Sequence, residues 1–132
     1  MMKEVLKFLI KNKVFYLATS SGDLPHVRPM GFVMEHDGKL AFCTSNQKAM
    51  FKQLTANPHV EICCVDANCN TLRLCGNAVF CTSTETQQKT LATMPMLGKI
   101  YAVGDGKLEI FCLADAQAIC QTMSGEKRVL AV

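Results

Sequence analysis

Short apolar runs separated by turn signals dominate this chain, and they do not alternate strictly with helical segments. Val14 to Thr19, His26 to Glu35, Leu40 to Thr44, His59 to Val65 and Thr71 to Cys81 are rich in β-branched, aromatic and alternating apolar residues, the pattern of strands. Leu108 to Leu113 and Gln117 to Met123 read as two late strands. Apolar residues at helical spacing mark 2–12, with Val5, Leu6, Leu9 and Ile10 opposite Lys3, Lys7 and Lys11. A second helix spans 47–56, opened by the N-cap candidates Thr44, Ser45 and Asn46 and stopped by Asn57-Pro58. A third spans 83–93, capped by Ser83 or Thr84 and broken at Met94-Pro95. About seven strands and three helices without βαβ regularity favour an antiparallel barrel with helices packed on it over a doubly wound sheet. No repeat, linker or low-complexity stretch divides residues 1–132, so a single domain is expected.

Composition narrows the function. Hydrophobic residues make up 49% and charged residues 19%, a globular balance. The 14 Lys and Arg against 11 Asp and Glu give a net charge of +3, scattered rather than clustered, which does not suggest a nucleic-acid surface. The N-terminal stretch is interrupted by Lys7 and Lys11 and lacks a signal-peptide pattern, and no run has the length of a membrane span. A cytoplasmic location is therefore expected. The eight cysteines then read as reduced, small, buried side chains. There is no C-x-x-C pair, and Cys63 and Cys64 would face opposite sides of a strand, so no metal site is expected. Neither a nucleophile elbow nor a dinucleotide fingerprint is present.

One constellation stands out. Asp37-Gly38 marks a hairpin turn, which brings Arg28 on one strand to the same open end as Thr44 on the other. Ser45, Asn46 and Lys48 follow at the head of a helix. Two cations, two hydroxyls and a helix N-terminus suit a phosphate dianion. Within the strand from His26, Pro29 lacks an amide donor and Gly31 lacks a side chain. Pro29-Met30-Gly31 therefore marks an edge, a bulge, or a place where a flat ligand approaches the backbone. Among the cysteines Cys43 is the one placed near this site and is the candidate for a redox role, and His26, on the same strand face as Arg28, is a candidate to line a ligand groove or act on a proton. Met94 and Met96 are candidates for a soft wall over a flat ligand.

The order and spacing of Arg28, Thr44, Ser45, Lys48 and Asn57-Pro58, followed by Leu72-Arg73-Leu74-Cys75-Gly76, resemble the pyridoxamine 5'-phosphate oxidase-like FMN-binding family over roughly residues 1–114. The resemblance implies a six-stranded antiparallel split β-barrel with flanking helices. It also implies a homodimer, with FMN in a groove between subunits. Carried over by position, Arg28 and Lys48 bind the FMN phosphate with help from Thr44 and Ser45, and Pro29, Met30 and Gly31 follow the flavin ring edge. Residues near Met96, Tyr101 or Phe111 are the candidates to reach over from the second subunit. Gln47 replaces the Arg usual before the Lys, and the chain ends without the Arg-Leu-x-Pro of the vitamin-synthesising oxidases. It thus looks more like the short branch that includes nitroimidazole-reductase-like proteins. The implied function is an FMN-dependent oxidoreductase taking electrons from a reduced nicotinamide nucleotide to a small acceptor such as a nitroaromatic or quinone. The alternatives are a non-enzymatic FMN electron carrier, or a module for haem or a deazaflavin. No side chain is singled out as catalytic.

Overall fold

Hairpin pairing organises the chain from its first strand onward. The computed structural model describes residues 2–132; Met1 lies outside the described residues. Helix α1 (Lys3–Asn12) is followed by β1 (Phe15–Ser21), β2 (Leu24–Met30), β3 (Met34–His36), β4 (Lys39–Ser45), α2 (Ala49–Ala56), β5 (His59–Val65) and β6 (Thr71–Phe80). Then come α3 (Thr84–Thr93), a 3₁₀ turn (Pro95–Lys99), β7 (Leu108–Gln121) and β8 (Lys127–Leu130). All pairings are antiparallel. The sheet has eight strands, ordered β2-β1-β5-β6-β7-β4-β3, with β8 added along β7.

The expected mainly-β split barrel with flanking helices is the observed class. It has eight strands where six are implied and about seven are read from the sequence: the late pair is one strand, β8 is added, and the segment expected as one strand from His26 to Glu35 is two. It breaks at Gly31–Val33, and its halves lie at opposite edges of the sheet. Four residue steps join Met30 to Met34, at most about 14 Å of chain. The two edges must therefore curl toward each other, which closes the sheet into a barrel with an unpaired seam.

Local chemistry explains the turns. Asp37 and Gly38 both take positive φ, 50° and 73°, as a tight two-residue hairpin demands. Ser83 caps α3, accepting from the Thr86 amide at 3.1 Å while Thr86 Oγ1 accepts from the Ser83 amide at 2.8 Å. Helix α1 buries Val5 and Leu9, but Ile10 points to solvent. The three expected caps of α2 do not cap it. Strand β4 runs on through Ser45, and the N-cap is Lys48, with no side-chain bond to the helix.

Two cores result. Inside the barrel, Phe42 stacks on Phe111 at 5.4 Å and meets Phe15 edge-on at 5.7 Å. Outside, Phe32, Met34, Ala41, Leu108, Ile110 and Cys112 lie with Leu91, Met94, Leu97 and Tyr101 from α3, the 3₁₀ turn and the loop after it. The central part of β4 and the first half of β7 are therefore covered on both faces.

The two late strands expected from the sequence are one continuous strand, β7, bent by a bulge. Opposite Gly76, β7 carries extra residues, and Asp115 takes a φ of 52°. The bulge presses β7 onto Gly76: a Cβ there would sit 2.7 Å from Leu113 Cγ and 2.9 Å from the Ala114 carbonyl oxygen. Gly76→Ala is expected to lower stability by about 1–3 kcal/mol in urea unfolding, since the backbone oxygen cannot rotate away. An unchanged midpoint would show that the bulge relaxes freely.

Candidate functional site

The seam between the sheet edges is where the chemistry gathers. The end of β2, the break at Gly31–Phe32, the end of β4 and the start of α2 border two adjoining hollows. One, of about 330 Å³, is lined by Arg28, Pro29, Met30, Cys43, Thr44, Lys48, Ala49 and Met50. The other, of about 190 Å³, shares Pro29, Met30, Cys43, Thr44 and Lys48 and adds Gly31, Phe32, Met94, Leu97, Ile100 and Tyr101. Together they form one groove, cationic at one end and apolar at the other.

Arg28 anchors the cationic end. Its Nη1 donates to Thr19 Oγ1 at 2.8 Å and to the Leu17 carbonyl at 3.2 Å. Its Nη2 donates to Gln53 Oε1 at 2.6 Å, and Thr19 Oγ1 donates to the same oxygen, also at 2.6 Å. Antiparallel pairing sets Arg28 opposite Leu17, and α2 lays Gln53 across them. These neutral partners fix the guanidinium, and burial pushes its pKa down. Guanidinium carries five N–H donors, so Nε and one Nη2 hydrogen remain for a ligand. Among the described residues neither Arg28 nor Lys48 forms an ion pair.

Thr44 supplies the decisive observation. It is 2% exposed, and its Oγ1 is buried without a hydrogen-bond partner. Leaving a buried hydroxyl unsatisfied costs about 1–3 kcal/mol. Thr44 lines both hollows, Arg28 one and Lys48 both, beside the uncapped start of α2. An anion seated there would meet an orphan hydroxyl, orphan amides and two unpaired cations at once.

The structure thus brings together Arg28, Pro29, Met30, Gly31, Thr44 and Lys48. It leaves Ser45 out: Ser45 lines neither hollow, and its Oγ accepts from the Gln47 amide at 3.2 Å. It shares the Cys43 face of β4 but sits at the strand's end, where its Oγ is taken by that amide. Asn46 is also committed elsewhere, donating to the Gly106 carbonyl at 2.8 Å and Glu109 Oε2 at 2.9 Å. His26 pairs with Thr19 across the hairpin and does not line the groove. Of the residues expected to reach in from a second subunit, Phe111 is fully buried in the barrel core and Tyr101 lines the groove of its own chain. Met94 joins the soft wall, while Met96 is 67% exposed. Thr19 and Gln53 were not legible as site residues; no local motif marks an arginine's neutral partners. A hollow of about 360 Å³ lies on the far side of Gln53, between the β1–β2 turn and Lys52 to Asn57, but it contains no orphan buried group.

Residues 1–114 match the model of the pyridoxamine 5'-phosphate oxidase family. The chain belongs to this family. Among solved structures, a NimC/NimA family protein from Clostridium acetobutylicum is 35% identical with a TM-score of 0.94, the match covering 99% of this chain and 92% of that one. General Stress Protein 26 from Bacillus anthracis shares the fold at 18% identity and a TM-score of 0.73, with 98% of this chain and 100% of that one covered. So does a pyridoxamine 5'-phosphate oxidase-related, FMN-binding protein from Nostoc punctiforme, at 13% identity and a TM-score of 0.62, with 99% and 96% covered. No curated protein matches the chain. Among the described residues no helix is long and apolar enough to cross a membrane.

Cys43, on the groove floor, has its thiol pushed up to about 11 by burial, with Lys48 pulling weakly the other way. It is therefore protonated near neutral pH and is not a ready nucleophile. Iodoacetamide is expected to label it slowly at pH 8, with the rate climbing toward pH 11; rapid labelling at pH 8 would mean that the groove is far more open to water.

Proposed function

We propose that this protein binds FMN in the groove and works as an FMN-dependent oxidoreductase between a reduced nicotinamide nucleotide and a small acceptor. The observation that carries the reading is the buried, partnerless Thr44 hydroxyl on a residue that lines the groove with Arg28 and Lys48, neither of them ion-paired. The residues present fit such a cofactor. Arg28, Thr44, Lys48 and the first amides of α2 hold the phosphate. Pro29, Met30 and Gly31 border the ring through backbone groups that the seam leaves unpaired. Met94, Leu97, Ile100 and Tyr101 give the ring an apolar wall that excludes water. A Cβ at Gly31 would meet only the Lys13 carbonyl oxygen, at 3.8 Å, so packing within the chain does not by itself demand glycine there. Bound flavin supplies hydride acceptance and onward electron transfer. The NimC/NimA likeness and the FMN-binding relative in the fold support this choice.

A non-enzymatic electron carrier is the second reading, and one observation favours it. Cys43 is held protonated and burial raises the Tyr101 phenol, so neither offers a base near neutral pH. Flavin bands in the absorption spectrum test cofactor binding against haem or a deazaflavin. NADH or NADPH consumption with a nitroaromatic or quinone acceptor then separates enzyme from carrier. The eight free thiols suit a reducing, cytoplasmic setting.

We further place a second copy of the chain on the outer sheet face. Pro29, Tyr16, Cys63, Arg73, Ile119 and Val129 form one register row across six strands. Tyr16, Ile119 and Val129 are 50%, 41% and 79% exposed. Pro29 belongs to both the row and the groove, so a partner seated on this face borders the cofactor.

Thr44→Val removes a hydroxyl that only the ligand satisfies. The two expected effects have opposite signs: the ligand-free protein gains about 1 kcal/mol of stability, and FMN affinity falls about tenfold. Lys48→Ala should weaken FMN binding by about 10–100-fold. Normal FMN affinity in both variants, by fluorescence titration, would sink the phosphate assignment. Light scattering is expected to give a dimer, which Ile119→Asp weakens; an FMN-loaded monomer would contradict the shared groove.

A further inference from the structure

Cys81 leaves the end of β6, its amide donating to the Ile110 carbonyl at 2.8 Å. Val79 and Cys112 are register partners across β6 and β7, so Cys81 lies diagonally beside Cys112 on the same face. Their sulfurs are 2.9 Å apart. A disulfide bond is about 2.0 Å long, so closure requires an approach of about 0.9 Å. No other cysteine pair in the described residues has its sulfurs in hydrogen-bond contact. Cys112 is buried, whereas Cys81 is half-buried and within reach of a small solute.

We propose that Cys81 and Cys112 are a thiol pair that a hydroperoxide converts to a reversible disulfide. The Cys81 thiolate attacks one peroxide oxygen and the O–O bond breaks. Cys81 becomes a sulfenic acid, and the departing hydroxide leaves as water with the thiol proton. The Cys112 sulfur then attacks the Cys81 sulfur; the S–S bond forms, the S–O bond breaks, and a second water leaves. The two thiols lose two electrons, and hydrogen peroxide gains them to become two waters. Burial, the Cys112 hydrogen bond and the nearby Asp37 together push the Cys81 thiol up to about 12. The first step is therefore slow, and the second is fast because its nucleophile is already in contact. The bond ties together the ends of segment 81–112, which carries α3, the 3₁₀ turn and the apolar groove wall.

The test uses the full chain carrying Cys69→Ser and Cys75→Ser, which removes the two exposed thiols. The protein is incubated with hydrogen peroxide, quenched in denaturant with N-ethylmaleimide and mapped by peptide mass spectrometry. A linked Cys81–Cys112 peptide is expected, with loss of two alkylatable thiols per chain and full recovery after dithiothreitol. Adding Cys81→Ser or Cys112→Ala should abolish the linked peptide, and either folded variant suffices as the control. The proposal is overturned if both thiols stay alkylatable, if Cys112 pairs with another cysteine, or if Cys81 proceeds to sulfinic acid with Cys112 unmodified.

Discussion

The tie at Gly31–Val33 between the two edge strands governs this molecule. Strands β2 and β3 sit at opposite ends of the hydrogen-bonded order, yet three residues join them. Covalent continuity forces closure, while Pro29 and the break deny the ladder that would seal it. What is left is a barrel with a slot. The backbone groups beside the slot, the polar ends of β2 and β4, and the bare start of α2 all face the same opening. The candidate site is the part of the barrel that the chain cannot close.

The rest of the structure holds that slot in shape. The bulge at Asp115 bends β7 so that one strand serves β6, β4 and β8. Gln87 in α3 donates to the Leu108 carbonyl at 3.0 Å and accepts from the Gly104 amide at 2.9 Å. This buried amide fastens the helix and the following loop to β7, and with them the wall that holds Leu97 and Tyr101. On the other flank Gln53 and Thr19 orient Arg28 without neutralising it. A carboxylate in place of Gln53 would hold the arginine equally well and cancel the field that an anion needs.

Features set by neighbouring residues were legible in the sequence. Asp37-Gly38 specifies its turn because both positions need positive φ. Ser83 caps α3 through a hydroxyl three residues from its partner amide. Pro29 and Gly31 announce a flaw in a strand, although not that its halves end on opposite edges. Features set by distant neighbours were hidden. The apparent gap after Leu113 is a bulge, stabilised by the absence of a side chain at Gly76 on another strand. Ser45 looked equivalent to Thr44, but its hydroxyl is taken up by the Gln47 amide where the chain leaves β4. The α2 caps failed because β4 pairs with β7 up to Ser45, and tertiary pairing outweighed local capping preference. Strand β8 carries only Leu130 as a buried residue, too little for a pattern.

The double covering of β4 and β7 has a consequence for how the molecule breathes. Amides sandwiched between two cores open only with the whole fold, whereas those of the edge strand β2 need release only its pairing with β1. One bank of the groove is therefore bedrock and the other is shore. The β2 bank can loosen while Thr44 on the opposite bank keeps its place.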